Sequence, residues 1–207
     1  MSGKIAIQPW FFITTLALIG LVTALVPLER TLGANIRLIY FHGAWVWVGK
    51  AAFGMGALAG LGGLILRRSE KPAWADRLPQ WSLAFGRTGL IFWATYLPMS
   101  LLVMQLNWGG LFLDEPRFQV PLTLGIVGVL LHAGFILLNH PDIICLGSLV
   151  FGVTLWIKLG EITNVLHPDS PVYTSDSLLI QVFFSILLVP SVLAGWQIAH
   201  FLYRKTQ

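Results

Sequence analysis

The 207-residue chain is 56% apolar, only 11% charged, and carries a formal net charge of +4. An ordinary soluble domain is about 25% charged, so this composition excludes a water-soluble globular class. The small basic excess has no face where cations interleave with stacking aromatics, which argues against a nucleic-acid partner.

At about 20 apolar residues per membrane crossing, six helices and short connections use up the chain. The expected fold is all-α: a polytopic helical bundle forming one domain over residues 1–207, since an α-helix satisfies its own backbone in lipid. No alternating pattern runs long enough for a β-barrel. In chain order the spans run Trp10 to Pro27, Leu38 to Leu66, Leu83 to Leu106, Val120 to Leu138, Ile143 to Leu159 and Leu178 to Phe201. Lys4 ahead of the first span gives it the look of a signal peptide, but it is read as a retained helix. Pro98 and Pro190 lie inside the third and sixth spans and predict kinks. In the second span, Gly56 and Gly60 form a close-packing face for a neighbouring helix.

Lysine and arginine placement gives the bundle a direction. With both termini cytoplasmic, Lys4, Arg67, Arg68, Lys71, Arg77, Arg87, Arg204 and Lys205 are inner. Arg30, Arg37, Arg117 and Lys158 are outer, a bias of eight to four. The acids lean the other way, with Glu29, Asp114, Glu115, Glu161, Asp169 and Asp176 outer and Glu70, Asp76 and Asp142 inner. A plasma or inner membrane protein follows from this reading. The single cysteine, Cys145, excludes an internal disulfide and a multi-cysteine metal site. It reads as a small packing residue.

Three outer segments hold polar groups that a bland bundle does not need. They run from Arg37 through Tyr40 and His42 to Trp45, from Trp108 to Arg117, and from Asn164 through His167 to Asp169. Two histidines therefore share one membrane face on different segments. Imidazole nitrogen is a good ligand for haem iron, and two histidines complete its axial sites. Arg37 and Arg117 lie at the same depth, and guanidinium groups suit the carboxylates of haem propionates. Position alone does not single these residues out. A lone interfacial histidine is more often a polar tip at headgroup level, and Trp45, Trp47 and Trp108 are expected as anchors in any bundle. His132, in mid-span, faces the bundle interior, where a satisfied polar contact is favoured over a haem ligand. His140 and His200 belong to the inner side. Lys50 lies about 12 Å along the helix from His42 and either lines a cavity or snorkels to the interface.

The three segments together resemble the cytochrome c assembly family of haem-handling membrane proteins, most closely its small six-helix branch, the cytochrome c maturation protein C family. The first family motif reads here as Arg37, Tyr40, His42, Ala44 and Trp45. The family's tryptophan-rich loop, Trp-Gly-x-Trp-Trp-x-Trp-Asp-x-Arg, aligns without a gap from Trp108 to Arg117. The second outer histidine lies in an Asn-x-Leu-His context at Asn164, Leu166 and His167. The resemblance covers nearly the whole chain. It implies haem b held at the outer face, with His42 and His167 as axial ligands of the iron. Arg37 and Arg117 would meet the propionates, Tyr40 belongs to the first motif, and Trp45, Trp108 and Phe112 would pack on the porphyrin. It also implies a membrane-anchored haem chaperone and ATP-driven transporter subunits as partners, and no enzymatic activity.

The loop departs from the pattern. Leu111, Phe112 and Asp114 stand where the family has tryptophans, while Glu115 holds the acidic position. The first motif also lacks the proline after its histidine and is shorter there. Losing three indoles removes flat contact area, worth a few kcal/mol on the order of an aromatic pair each. That bears on hand-over more than on binding. Two other classes compete: a b-type haem subunit of an electron-transfer complex, and a haem-free accessory membrane subunit.

Overall fold

The computed structural model describes residues 9–28, 32–67, 72–163 and 177–206. These form six helices: α1 (Pro9–Leu25), α2 (Ile36–Leu66), α3 (Pro72–Trp108), α4 (Pro116–Leu138), α5 (Pro141–Gly160) and α6 (Leu178–Lys205). No strand occurs among the described residues. Helices α2 to α6 are long and apolar enough to cross a membrane. Helix α1 is equally apolar but has 17 residues, a rise of about 26 Å against a hydrocarbon core of about 30 Å.

Local sequence sets the helix ends. Four helices open on a proline, at Pro9, Pro72, Pro116 and Pro141, where the missing N–H and fixed φ cost nothing. Helix α3 stops at Gly109, whose φ of +71° suits a residue without Cβ. Helix α4 stops at Asn139, which is left-handed and donates its N–H to the Phe135 carbonyl. The third helix is longer than expected. It begins at Pro72 instead of Leu83, because the polar stretch around Asp76 and Arg77 continues the helix beyond its apolar span. Helices α3 and α6 run on through Pro98 and Pro190.

Helix α2 is the centre of the bundle, touching α1, α3, α5 and α6. One apolar core lies between α1, α2 and α6, around Ile19, Tyr40, Phe184 and Leu187. A second lies between α2, α3, α4 and α5, around Phe53, Trp93, Leu124 and Phe151. The outward faces are also apolar: on α4, Leu130 is 66% and Leu137 84% exposed. Water would penalise such a surface and lipid would not. The chain is therefore a multi-pass membrane protein.

Small residues and internal hydrogen bonds hold the helices, as expected where lipid removes the hydrophobic drive between them. Gly56 faces α3, and its carbonyl accepts from the Ser82 hydroxyl at 2.8 Å. Gly60 and Gly63 face Cys145 of α5. The glycine face thus serves two neighbours instead of one. Cys145 is fully buried in this contact. The indole N–H of Trp93 donates to the Pro121 carbonyl at 2.8 Å, joining α3 to α4. Gln197 of α6 donates to Thr15 of α1 at 3.1 Å. An ion pair of 2.7 Å between Arg67 and Asp142 closes the end of the bundle where α2 stops and α5 starts.

Candidate functional site

A cavity of about 120 Å³, with mixed polar and apolar lining, lies at the opposite end, between α2, α3, α4 and α5. Helical spacing builds two of its walls. His42, Val46 and Lys50 line it from α2, and Tyr96, Ser100, Met104 and Trp108 line it from α3. Both sets recur every four residues, which places each set along one side of its helix. Glu115, Arg117 and Pro121 add the start of α4, and Leu159 and Ile162 add the end of α5.

The turn from α3 to α4 delivers the acid and the arginine. Glu115 has extended backbone at the N-cap of α4, ahead of Pro116. Its carbonyl accepts from the Phe118 and Gln119 N–H groups at 2.8 and 2.9 Å, and its own N–H donates to the Phe112 carbonyl at 3.1 Å. A carboxylate at a helix start is favoured by the helix dipole, and Glu115 is only 6% exposed. Pro121 has no N–H to offer the Arg117 carbonyl one turn earlier. The Tyr96 hydroxyl approaches that carbonyl instead, at 3.5 Å. The ring of Tyr96 also packs on His42, with centroids 5.1 Å apart and planes at 48°. Tyr96 thereby touches both the histidine and the backbone that carries the arginine.

Lys50 is among the lining residues of the cavity, while its ammonium lies 4.6 Å from the Trp47 ring and 4.5 Å from the Trp156 ring, two residues that do not line it. Both distances are in the range of cation–π attraction. The Trp156 indole N–H donates to the Lys50 carbonyl at 3.2 Å, which fixes the second ring.

Of the residues singled out from sequence, His42, Trp108 and Arg117 meet at this cavity. Phe112 stands beside it, 42% exposed, with its ring edge-on to Trp108 at 6.2 Å. Arg37, Tyr40 and Trp45 are not among the lining residues. At about 100° per residue, a motif contiguous in sequence is spread around α2. Arg37 points to the end of α1, where its Nε donates to the Val26 carbonyl at 3.4 Å. Tyr40 is buried against Phe184 of α6. Trp45 donates to the Thr95 hydroxyl at 2.8 Å and packs on Phe92. His167 lies outside the described residues, as do Asn164 and Asp169.

His132 does not line the cavity and makes the internal polar contact expected of it through one of its two ring nitrogens. Its Nδ1 hydrogen-bonds the Gly128 carbonyl at 2.8 Å, and its Nε2 packs on Gly86. His200 stacks near Trp81 and Trp196. Among the described residues no group of three His, Cys, Asp or Glu side chains could hold a bare metal ion. Sequence reasoning missed Tyr96, Ser100 and Met104 as site residues. The signal that finds them is the four-residue spacing leading back from Trp108.

Comparison with protein-family models, with curated proteins and with solved structures finds no match for this chain.

Proposed function

We propose that this chain is a haem-binding membrane protein of cytochrome c assembly, holding haem b at the outer face with His42 as one axial ligand. His167 would be the second. One observation carries this reading: an imidazole, a guanidinium and an indole from three helices, those of His42, Arg117 and Trp108, line the same cavity. The described chain also ends a helix at that place. Ile162 lines the cavity, and His167 follows five residues later.

The donor set fits haem, with a neutral nitrogen for iron, a cation for a propionate and an aromatic for the ring. The volume sets a limit. About 120 Å³ is below the roughly 300–1,000 Å³ of pockets that enclose a drug-sized ligand. The cavity is too small to enclose the whole macrocycle, so Trp108 and Phe112, at and beside it, would pack on the porphyrin. His42, held by Tyr96, would orient the iron. Arg117 would neutralise a propionate. In the proposed role the haem passes to a membrane-anchored haem chaperone, with ATP-driven transporter subunits as further partners, and the chain itself catalyses no reaction.

A resident b-type haem in an electron-transfer complex is the second reading. It is favoured by Leu111, Phe112 and Asp114 in place of tryptophans, since a haem that stays needs no hand-over loop. Protein purified from haem-replete cells tests both. A Soret band lost in His42→Ala and His167→Ala supports haem ligation, and haem-free wild-type protein overturns it. A cytochrome c deficiency on deletion then selects assembly, and a reversible midpoint with a copurifying redox complex selects electron transfer.

A further inference from the structure

We propose that the seam between α3 and α6, at the Arg67 end of the bundle, holds the headgroup of one anionic phospholipid. Arg204 meets its phosphate, and the rings of Trp81, Trp196 and Tyr203 form the wall beside it. The site lies at the far end of the bundle from the cavity and does not rest on the haem reading.

The first argument is spacing. Arg77, Trp81 and Phe85 recur every four residues on α3, and Trp196, His200 and Arg204 do so on α6. Each set therefore runs along one side of its helix. The two sides meet. Trp81 stacks on Tyr203 with centroids 4.1 Å apart and planes at 9°, and on Trp196 at 5.4 Å and 12°. His200 lies 6.2 Å from both indoles. Rings that only anchor a bundle need reach headgroup depth one by one. These are joined into a continuous wall across two helices. Gly63 of α2, four residues before Arg67, faces Leu78 and Pro79 of α3, which puts the wall at the Arg67 end.

The second argument is the polarity left on the wall. Among the described residues the indole N–H groups of Trp81 and Trp196 have no protein acceptor, and Trp196 is 50% exposed. Donors at this depth meet the phosphate and ester oxygens of lipid.

The third argument is charge. Arg204 is half-buried beside this wall and makes no ion pair among the described residues. Asp142 is tied to Arg67 at 2.7 Å, and Asp76 lies about 140° round α3 from Trp81. A guanidinium suits a phosphate, and a basic group set between membrane helices favours an anionic headgroup. Lys205 is placed differently. It lies about 160° round α6 from Tyr203, and its ammonium sits 4.6 Å from the Phe201 ring. Two adjacent cations thus face different surroundings, and only Arg204 belongs to the seam.

The test titrates the full chain in detergent with phosphatidylglycerol and, in parallel, phosphatidylcholine of the same acyl chains. Native mass spectrometry follows the first bound lipid. Wild type should bind phosphatidylglycerol more tightly. Arg204→Gln should weaken that binding about tenfold, the scale of one charge-assisted hydrogen bond, and remove the preference. Lys205→Gln, with the same change of charge one residue away, should keep both. Arg204→Lys retains the charge, should stay between the two, and keeps the test valid if the glutamine variant fails to fold. Trp196→Leu should weaken both lipids. Equal losses in Arg204→Gln and Lys205→Gln would mean diffuse attraction to a basic surface and overturn the site, as would equal binding of the two lipids by wild type. Displacement of the lipid by inorganic phosphate at equal ionic strength would make a soluble anion the ligand and overturn the lipid assignment.

Discussion

His42 of α2 and Tyr96 of α3 pack ring against ring at 5.1 Å, and the same tyrosine reaches the Arg117 carbonyl at 3.5 Å. Tyr96 is therefore a positioning residue for the histidine. An aromatic ring pair of this kind is worth about 0.5–1.5 kcal/mol beyond its buried area. On the proposed haem role, Tyr96→Ala should weaken haem binding by up to about tenfold and broaden or shift the Soret band. Tyr96→Phe keeps the ring and should stay within a few-fold of wild type. Equal, near-wild-type titrations for both variants would remove Tyr96 from the site.

Gly60 gives a prediction about the fold. A methyl group there would lie 2.5 Å from the Cys145 carbonyl oxygen, which is backbone and cannot swing away. Helices α2 and α5 would have to separate. Overpacking of this kind costs about 1–3 kcal/mol. Gly20→Ala is the matched control, since nothing lies within 4 Å of that Cβ position. Thermal unfolding in detergent should show Gly60→Ala melting several degrees below wild type and Gly20→Ala unchanged or slightly higher.

Apolar run length made most of the fold readable. Residues such as Leu38 to Leu66 admit no other structure in a membrane, and the observed α2 starts two residues earlier, at Ile36. The start of α3 was not readable, because Asp76 and Arg77 end the apolar run without ending the helix. The site was half readable. The charges and rings at Trp108 to Arg117 mark a turn, where neighbours in sequence stay neighbours in space. Arg37, Tyr40 and Trp45 belong to one helix, whose pitch sends them to α1, α6 and α3. Their proximity in sequence says nothing about a shared pocket. Tyr96 and Ser100 are not legible in the sequence as site residues, because each is an ordinary interior residue on its own. Only pairing with α2 makes them part of a wall.

A fully buried polar contact helps to join α3 to α4. Trp93 is 1% exposed, and its indole N–H donates to the Pro121 carbonyl at 2.8 Å. Phenylalanine at position 93 keeps most of the ring and removes the indole donor, while the Pro121 carbonyl keeps its acceptor place in the α4 backbone ladder. The loss is that of one net hydrogen bond, about 0.5–1.5 kcal/mol. Trp93→Phe should lower the unfolding midpoint accordingly. It should also loosen the wall that carries Arg117, because Pro121 and Arg117 are one turn apart on α4. Hydrogen exchange at the start of α4 should rise in this variant and stay unchanged at the Arg67–Asp142 end. Uniform acceleration throughout the bundle would instead mean a global loss of stability.

Direction across the membrane is the last point that can be measured simply. The expectation from charge bias is that the cavity end is outside and the Arg67 end inside. Cys145, at 0% exposure, should not react with a membrane-impermeant maleimide in folded protein, so the natural chain is a clean background. Asp114, in the α3–α4 turn, and His140, at the start of α5, are both exposed and sit at opposite ends of α4. Asp114→Cys should label in intact cells and His140→Cys only in inverted vesicles. The reverse pattern would put the cavity on the cytoplasmic side. A ligand delivered across the membrane would then meet the wrong face, and the assembly role would fall even if His42 still bound haem.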